Sequence, residues 1–209
     1  MFKKIKNNQE FLKSIKKKEK LKIGYYDSSE LKKMGFKKVG KNVFVSKTIN
    51  LVGLKNISFG DEIRIDSFCN IIANNGYLKI GNFVHISSYT FLACYKGIEF
   101  KDFSTTSPGV RIFSLTSDFT GEYFSNPTVN SKYSKTKNGK VVIEKYSIIG
   151  ANSIILPGAT IETGCAVGAN SLINKSTRAW GIYVGNPAKR IKERSKKLLK
   201  FEKKIINLS

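Results

Sequence analysis

The chain has 209 residues, long enough for one domain with a buried core and too short for two large ones. Hydrophobic residues make up 41% and charged residues 25%, which excludes disorder over most of the chain. The formal net charge is +22. No apolar run approaches the roughly 18 residues that span a bilayer, and the lysine-interrupted N-terminus is expected to be neither a signal peptide nor an anchor helix.

The two ends of the chain carry most of the positive charge. Residues 1–22 contain nine lysines and two glutamates, which gives +7, and residues 189–204 contain nine basic residues and two glutamates, which gives another +7. The middle has no RNP-like run, zinc-finger spacing or helix-turn-helix signal. Specific nucleic-acid binding is therefore a weak alternative, and anionic small molecules or peripheral contact with an acidic membrane surface account for the charge equally well.

The cysteine and histidine content limits the chemistry of any site. Three widely spaced cysteines, Cys69, Cys94 and Cys165, form neither a disulfide framework nor a CxxC zinc site, which favours a reducing cytoplasm. The one histidine, His85, excludes centres that need two or three imidazoles. We therefore expect no catalytic metal.

Residues 1–38 are predicted to form a basic N-terminal helical segment. In the first 20 residues, four apolar side chains lie near one face of a basic amphipathic helix: Phe2, Ile5, Leu12 and Ile15. The segment YYDSSELKKMGF is typical of a short helix, with Asp27 or Ser28 as its N-cap and Gly35 as its stop. Such a helix either lies on a membrane surface or, more commonly, covers the end of a repeat stack.

A six-residue repeat dominates residues 39–188. From residue 143 onwards, every sixth position is a β-branched aliphatic residue: Ile143, Ile149, Ile155, Ile161, Val167 and Ile173. The fourth residue after each of these is small: Ser147, Ser153, Ala159, Cys165, Ser171 and Thr177. The same register runs through three earlier triplets: Phe59, Ile65 and Ile71, then Ile80, Ile86 and Leu92, then Phe100, Thr106 and Ile112.

This period fits neither a helix nor an ordinary strand, whose periods are about 3.6 and 2. It predicts an all-β fold, a parallel β-helix in which each hexad is one short strand plus a corner and three hexads close one coil. Cys69 and Cys165 fall on small inward positions, whereas Cys94 lies off the register and is expected at the surface. Glycine at the second position of a hexad is expected to ease the turn: Gly81, Gly150 and Gly168.

Two irregular stretches interrupt the repeats. Residues 93–97 are a minor adjustment, whereas residues 113–140 form a polar excursion of 28 residues. A loop of that length in a compact domain is usually functional, and the alternative is a plain surface insertion. Three of its aromatic residues are expected to pack on a neighbour: Tyr123, Phe124 and Tyr133.

The chain beyond Pro187 is rich in lysine and arginine. Residues 189–209 are predicted to form a basic C-terminal helix, whose apolar positions are Ile191, Leu198, Ile205 and Leu208. Like the N-terminal helix, it is expected to cover an end of the repeat stack.

The hexads followed by WGIYVGNPAKRIKER resemble the hexapeptide-repeat acyltransferases over roughly residues 39–194. A closer resemblance is carried by ISFGDEIRIDSF, IGNFVHIS and SDFTGEYFSNPTV. It is to the bacterial dTDP-4-amino-4,6-dideoxyglucose acyltransferases and the galactoside-type acetyltransferases of surface-polysaccharide clusters. The resemblance implies a left-handed parallel β-helix, which is an exception to the usual right-handed crossover, together with a homotrimer and acetyl-CoA as co-substrate.

The resemblance also implies that coenzyme A lies along the groove between two neighbouring prisms. Carried over position by position, the residues that bind it are Ala151, Ala169, Asn174, Lys175, Lys189 and Lys192. Small residues let the ligand approach the chain, and lysines offer point charges to phosphate. The alternative for Lys189 and Lys192 is a solvated basic chain end.

Acyl transfer needs a group that accepts the proton of the attacking amine or hydroxyl. His85 is the only imidazole, but in many members of the resembled family the catalytic histidine follows the next coil, where this chain has Asp118. Two alternatives stay open: His85 is the base, from the same or an adjacent subunit and oriented by Asp118, or an amine substrate passes its proton to the departing thiolate. Weaker candidates for holding the acceptor are Ser87, Ser88, Tyr123 and Asn126.

The leading functional hypothesis is an acetyl-CoA-dependent N-acetyltransferase that acts on a nucleotide-linked amino sugar in surface-polysaccharide synthesis. O-acetylation of a sugar hydroxyl is the first alternative, and a non-catalytic β-helix scaffold or basic binding module is the second. The excursion and the GNPAKRI segment argue against the scaffold, because a scaffold needs neither.

Overall fold

The computed structural model describes residues 24–206, so the predicted helix of the first 20 residues and Leu208 lie outside the described residues. The chain winds through three sheets in a fixed order, sheet 1, then sheet 2, then sheet 3. Consecutive strands lie in different sheets, and each strand pairs in parallel with the strand one coil away, as His85 does with Arg64 and Thr105. The predicted parallel β-helix is therefore confirmed.

The strands are short, and most have two or three residues. Within residues 24–206, sheet 1 has nine strands, which are parallel except at its two ends: Tyr25–Tyr26, Val43–Ser46, Ile63–Ile65, His85–Ile86, Thr105–Thr106, Ile148–Ile149, Ala166–Val167, Gly181–Gly185 and Ala188–Glu193. Sheet 2 contains Asn50–Val52, Asn70–Ile72, Phe91–Ala93, Arg111–Phe113, Ile154–Ile155 and Leu172–Ile173. Sheet 3 contains Ile57–Phe59, Leu78–Ile80, Ile98–Phe100, Val141–Ile143 and Thr160–Ile161.

The core is the column of inward side chains that the six-residue period predicts. The repeat positions from Ile143 to Ile173 are all buried, with at most 3% of any side chain exposed. The small positions between them are buried too, and they leave room for the bulky residue of the next hexad. Because each buried aliphatic side chain stabilises the fold by about 1.5–3 kcal/mol, this column is the main source of stability.

Cys94 corrects the prediction of an exposed thiol. Its side chain is fully buried, as are those of Cys69 and Cys165. Leu92 and Cys94, two positions apart, both belong to the buried core, as Ile71 and Ala73 do one coil earlier, and the Cys94 amide donates to the Ile72 carbonyl of the preceding coil at 2.8 Å. Cys94 therefore follows the ordinary alternation of its strand and occupies a further inward position, which a count of two inward positions per hexad does not include.

The repeat glycines do not ease a turn as predicted, because none of the three has a positive φ. Glycine is needed instead because the coils approach closely. A Cβ on Gly81 would lie 2.4 Å from Oδ1 of Asp102, and one on Gly150 would lie 2.5 Å from the amide nitrogen of Ala169. The left-handed corner residue falls two places later and is often aromatic, as at Phe83, with φ 56°.

The predicted N-terminal cap is confirmed. The helix Ser28–Lys32 follows Asp27, whose carboxylate accepts hydrogen bonds from the amides of Ser29 and Glu30. The Glu30 carboxylate accepts in return from the Asp27 amide at 2.9 Å, which completes a capping box. Leu31 of this helix is fully buried, so the helix belongs to the core at this end of the prism.

The chain after Pro187 corrects the prediction of a helix over residues 189–209. Ala188–Glu193 is a strand that pairs antiparallel with Gly181–Gly185, because the turn between them reverses the chain along the edge of sheet 1. Helical structure begins later, at Leu199–Ile206. Within residues 24–206, no helix is long and apolar enough to span a membrane.

The excursion leaves sheet 2 after Phe113 and returns to sheet 3 at Val141. Leu115–Ser117 and Thr136–Asn138 pair antiparallel, and a short 3₁₀ helix, Ser131–Tyr133, lies between them. The aromatic rings predicted to meet a neighbour are exposed in the single chain, at 41% for Tyr123, 63% for Phe124 and 52% for Tyr133. The excursion is therefore a hairpin with a narrow base and an exposed tip.

Candidate active site

His85 lies in the outward column of sheet 1, between Arg64 in the preceding coil and Thr105 in the next. Its Nε2 atom lies 2.7 Å from Oδ2 of Asp66, and its carbonyl oxygen accepts a hydrogen bond of 3.0 Å from the Thr105 hydroxyl. Because the side chain is 35% exposed, the imidazole is both held by protein groups and open to a ligand.

Asp66 is the centre of a polar cluster, here called the His85 cluster, that comprises Tyr25, Arg64, Asp66 and His85. The Tyr25 hydroxyl donates to Oδ1 of Asp66 at 3.0 Å, and Nε of Arg64 lies 3.1 Å from the same oxygen. Burial raises the pKa of Asp66, but the hydrogen bond from His85 and the positive charge of Arg64 outweigh it and leave that pKa below its usual value. The Asp66 carboxylate is therefore ionised at neutral pH.

The charge of Asp66 decides which imidazole nitrogen carries the proton. An ionised carboxylate only accepts hydrogen bonds, so Nε2 of His85 donates to it. Nη2 of Arg64 lies 2.9 Å from the same Nε2 atom. Because arginine only donates, it cannot hydrogen-bond to a ring nitrogen that carries a proton. Nδ1 is left as the ring atom that can accept a proton. Burial and the Asp66 charge raise the pKa of Tyr25, which keeps its hydroxyl a hydrogen-bond donor.

Asp118 lies at the base of the excursion hairpin. Its carboxylate accepts hydrogen bonds from the Thr120 hydroxyl at 2.9 Å, the Thr120 amide at 3.2 Å and the Tyr123 amide at 3.3 Å. Desolvation raises the pKa of Asp118, but the hydrogen bonds together outweigh it and leave that pKa below its usual value. Within residues 24–206 the carboxylate beside His85 belongs to Asp66, so a role of Asp118 in orienting His85 stays a prediction.

The four residues predicted to hold the acceptor are not gathered in one place by the single chain. Ser87 is buried under the corner that follows His85, where its carbonyl accepts from the Thr90 hydroxyl at 2.7 Å. Ser88 is half-buried in the same turn. Tyr123 and Asn126 are exposed in the excursion. Of these four residues, Ser88 is the one that follows His85 closely in the chain and is partly exposed.

The residues predicted to bind coenzyme A occupy the last coils. Ala151 and Ala169 lie at the same corner of successive coils, and the Asn170 amide donates to the Ala151 carbonyl at 2.8 Å. Lys189 pairs with Val184, whose side chain lies over Gly168, next to Ala169. Lys192 lies further along the same hairpin.

Asn174 and Lys175 follow the last strand of sheet 2 and are exposed. Lys189 and Lys192 are exposed as well, and neither has a carboxylate partner among residues 24–206. Two small side chains beside a set of unpaired ammonium groups suit an extended ligand with phosphates at one end, so the residues present fit coenzyme A.

Sequence reasoning missed the two residues that bind His85 most directly, Asp66 and Arg64. The coil length contains the signal, because the ladder places residues about 20 positions apart side by side, as at Arg64 and His85. Asp66 lies 19 positions before His85, just after the strand of the preceding coil that pairs with the His85 strand. Tyr25 carries no such signal, because it enters through an antiparallel strand before the repeats begin.

A parallel β-helix built from six-residue repeats is the fold of the hexapeptide-repeat transferases. Residues 140–175 match the model of the family described as bacterial transferase hexapeptide (six repeats). The chain is also 41% identical over 180 residues to the dTDP-4-amino-4,6-dideoxy-D-glucose acyltransferase of Escherichia coli, which covers 86% of this chain and 94% of that protein. It belongs to this family of acyltransferases.

Two further proteins are similar to the chain. AntD, an N-acyltransferase from Bacillus cereus whose crystal structure contains dTDP and 3-hydroxybutyryl-CoA, superposes with a TM-score of 0.83 and 40% identity, over 88% of this chain and 97% of that one. The putative lipopolysaccharide biosynthesis O-acetyl transferase WbbJ of Escherichia coli K12 is 26% identical over 71% of this chain and 74% of its own length.

Proposed function

We propose that this chain transfers an acyl group from acyl-CoA to the 4-amino group of a dTDP-linked 4-amino-4,6-dideoxyglucose. The observation that carries the proposal is the extent of the similarity to the Escherichia coli and Bacillus cereus proteins, which spans nearly the whole of each chain. Residues 140–175 alone support only the repeat fold. Similarity over 86% and 88% of this chain extends well beyond these repeats, to segments that can adapt the fold to a substrate.

The reaction forms one bond and breaks another. The sugar amine attacks the thioester carbonyl, a C–N bond forms, the C–S bond breaks, and the products are an amide and free coenzyme A. One amine proton must leave as the tetrahedral intermediate forms. We assign its removal to Nδ1 of His85, whose other nitrogen donates to Asp66. In the alternative route the proton passes to the departing thiolate.

The donor is held by the last coils in this proposal. Ala151 and Ala169 let the pantetheine arm approach the backbone, while Lys189 and Lys192 meet the phosphates, with Asn174 and Lys175 beside them. Acetyl is the acyl group that we propose, although the AntD complex contains 3-hydroxybutyryl-CoA. The reaction is assigned to the cytoplasm, in the synthesis of a surface polysaccharide such as O-antigen, and the active enzyme to a homotrimer.

The test is acyl transfer by the purified full chain. Acetyl-CoA or 3-hydroxybutyryl-CoA is incubated with dTDP-4-amino-4,6-dideoxyglucose, and product is followed by mass spectrometry and by release of the coenzyme A thiol. The matched control acceptor is dTDP-6-deoxyglucose, which carries a hydroxyl in place of the amine. Product from the amine acceptor alone supports the proposal. Acylation of the hydroxyl acceptor at an equal rate would favour the O-acyltransferase, and no product from either would refute acyl transfer to these sugars.

A further inference from the structure

One corner of the prism, between sheets 1 and 2, carries an exposed aromatic pair that the chemistry above does not use. Phe68 and Tyr89 occupy this corner in successive coils, and their rings stack with centroids 5.2 Å apart and planes 21° from parallel. The Phe68 side chain is 55% exposed and the Tyr89 side chain 62% exposed. We call these two rings the aromatic platform.

The platform contrasts with the other aromatic ladder of the molecule. At the corner between sheets 3 and 1, Phe103 and Tyr146 also stack, but Phe201 and Leu198 of the C-terminal region lie beside them and the Tyr146 hydroxyl binds Glu202. Within residues 24–206 nothing covers the aromatic platform in this way. Both rings extend from corner positions with φ of 60° and 61° and present an apolar face to solvent.

A continuous series of hydrogen bonds connects the platform to the donor residues along the same corner. The Tyr89 amide donates to Ser67, the Gly109 amide to Ser88, the Asn152 amide to Pro108 and the Asn170 amide to Ala151. From one coil to the next, the residues that occupy this corner are therefore 68, 89, 109, 152 and 170, and we call each of these positions one level of the corner. Strand neighbours are about 4.8 Å apart, so the Phe68 level lies about 14 Å from the Ala151 level.

This order places donor and acceptor at opposite ends of one corner. In the proposed function the donor occupies the last levels, so the acceptor must reach the thioester from the other side, over the levels of Tyr89 and Phe68. A nucleotide-linked sugar is an extended molecule whose planar base lies at the end remote from the reacting sugar. The base of the acceptor therefore lies beside the aromatic platform.

We propose that the aromatic platform binds the pyrimidine base of the acceptor by stacking on Phe68 and Tyr89. This inference rests on the proposed function for the identity of the acceptor, but not on which group takes the proton. Aromatic rings stack on any base, and they supply much of the affinity of sites that hold unpaired bases.

The experiment compares dTDP binding by the wild-type chain and by platform variants, using isothermal titration calorimetry. Tyr89→Asn and Phe68→Asn remove a ring but suit the backbone, because the same corner carries Asn152 and Asn170 at φ 57° and 53°. Each is expected to weaken dTDP binding about 5- to 100-fold. The matched control Tyr89→Phe keeps the ring and is expected to stay within about twofold of the wild type.

Two further probes identify the contact. Inorganic pyrophosphate has no base, so the asparagine variants should bind it as the wild type does, and acetyl-CoA binding should be unchanged. Unchanged dTDP affinity in both asparagine variants overturns this inference alone. If their affinity is unchanged and light scattering shows a smaller particle, the platform is a contact between copies of the chain. A wild-type chain that binds no dTDP overturns the proposed function and this inference together.

Discussion

The Asp66 carboxylate shows how one side chain determines what its neighbours do. It accepts from Tyr25, pairs with Arg64 and accepts from Nε2 of His85. The ionised form is the one that accepts all of these contacts at once, and its charge fixes the tautomer of the imidazole. Without Asp66, Nη2 of Arg64, which lies 2.9 Å from Nε2, would donate to that nitrogen and favour the opposite tautomer.

Substitution of Asp66 tests whether this arrangement serves catalysis. His85→Asn is expected to lower kcat by about 10²- to 10⁴-fold, the usual contribution of positioned proton transfer. Asp66→Asn should lower kcat by a smaller factor with KM for acyl-CoA unchanged, since a neutral amide no longer fixes the tautomer. Steady-state kinetics on the amine acceptor give both values.

Tyr25→Phe is the matched control, because it removes one hydrogen bond to Asp66 and leaves the contact with His85. It should lie within a fewfold of the wild type. If His85→Asn is equally active, the proton passes to the thiolate and the base assignment is wrong. If both asparagine variants lose activity and thermal stability together, the cluster has a structural role.

Glu99 carries the second charge cluster, on the outward face of sheet 3. The hydrogen bond from Lys101, at 2.6 Å, is the largest cause that lowers the pKa of Glu99 from 4.5 to about 2, with Tyr77 and Lys140 adding to it against the effect of burial. A lowered folded-state pKa contributes stability that is fully present above the unfolded pKa. That stability is lost as the pH falls from about 4.5 towards 2.

Glu99→Gln is therefore expected to lower the free energy of unfolding by about 1–2 kcal/mol at neutral pH. The difference from the wild type should shrink as the pH falls below about 4.5, because the wild-type carboxylate is then protonated as well. Urea unfolding at a series of pH values measures it. Glu122→Gln, an exposed carboxylate of the excursion, is the control and should show no change. A difference that is independent of pH would mean that packing, and not charge, is lost.

The sequence predicted the inward side chains better than the outward ones, and the reason is physical. Every hexad must place a bulky apolar side chain in the core, so the same residue type recurs at Ile143 and Ile155 and the period is visible in the sequence. The outward partners of His85 obey no such repeat, since each level of sheet 1 carries a different side chain. Cys94 was misplaced because it points inward two residues after Leu92, at a position that the two inward positions counted in each hexad do not include.

At the scale of the element, the corners depend on left-handed residues that are not glycine. Phe83, Phe103 and Tyr146 all have φ near 60°, and their rings stack at 4.7 Å and 5.7 Å between successive coils. The stacking of large rings offsets a backbone conformation that is unfavourable for any one of them. The six-residue repeat identifies the inward positions, so it did not predict these stacked outward rings.

The excursion is an element whose role can be separated from the prism. Its two strands end at Ser117 and Thr136, which face each other across the hairpin. Replacing residues 118–135 by an Asn-Gly turn keeps this base and removes Asp118 and the exposed tip. The shortened chain is expected to bind acetyl-CoA as the wild type does and to lose transfer, because the excursion closes over the acceptor in our proposal.

Asp118→Asn separates the carboxylate from the loop. If it alone abolishes transfer with the excursion intact, Asp118 acts directly on the acceptor or on His85. If only the shortened chain is inactive, the loop acts by enclosing the acceptor. Calorimetry with acetyl-CoA and turnover with the amine acceptor measure the two effects. Transfer that survives the shortening would make the excursion a surface insertion.

At the scale of the whole molecule, the two cavities described for residues 24–206 lie away from the residues assigned to the donor. One cavity, of ≈ 240 Å³, lies between the C-terminal helix Leu199–Ile206 and the outward face of sheet 1. Another, of ≈ 280 Å³, lies within the tip of the excursion. Neither is lined by Ala151, Ala169 or Lys189, which lie on a convex corner. A convex corner becomes a groove only when a second prism stands beside it.

We therefore predict a trimer whose donor site lies between subunits. Light scattering should give three times the 23.4 kDa of one chain. Mixing tests the shared site, because a closed ring of prisms repeats the same interface three times. Trimers reassembled from His85→Asn chains and Lys189→Glu, Lys192→Glu chains should regain transfer, since some interfaces receive an intact His85 from one chain and intact lysines from the other. Reassembly with no gain in activity would place His85 and the two lysines of each site on one chain. A monomer with full activity would contradict the shared groove altogether, and the donor would then have to bind along the corner of a single prism.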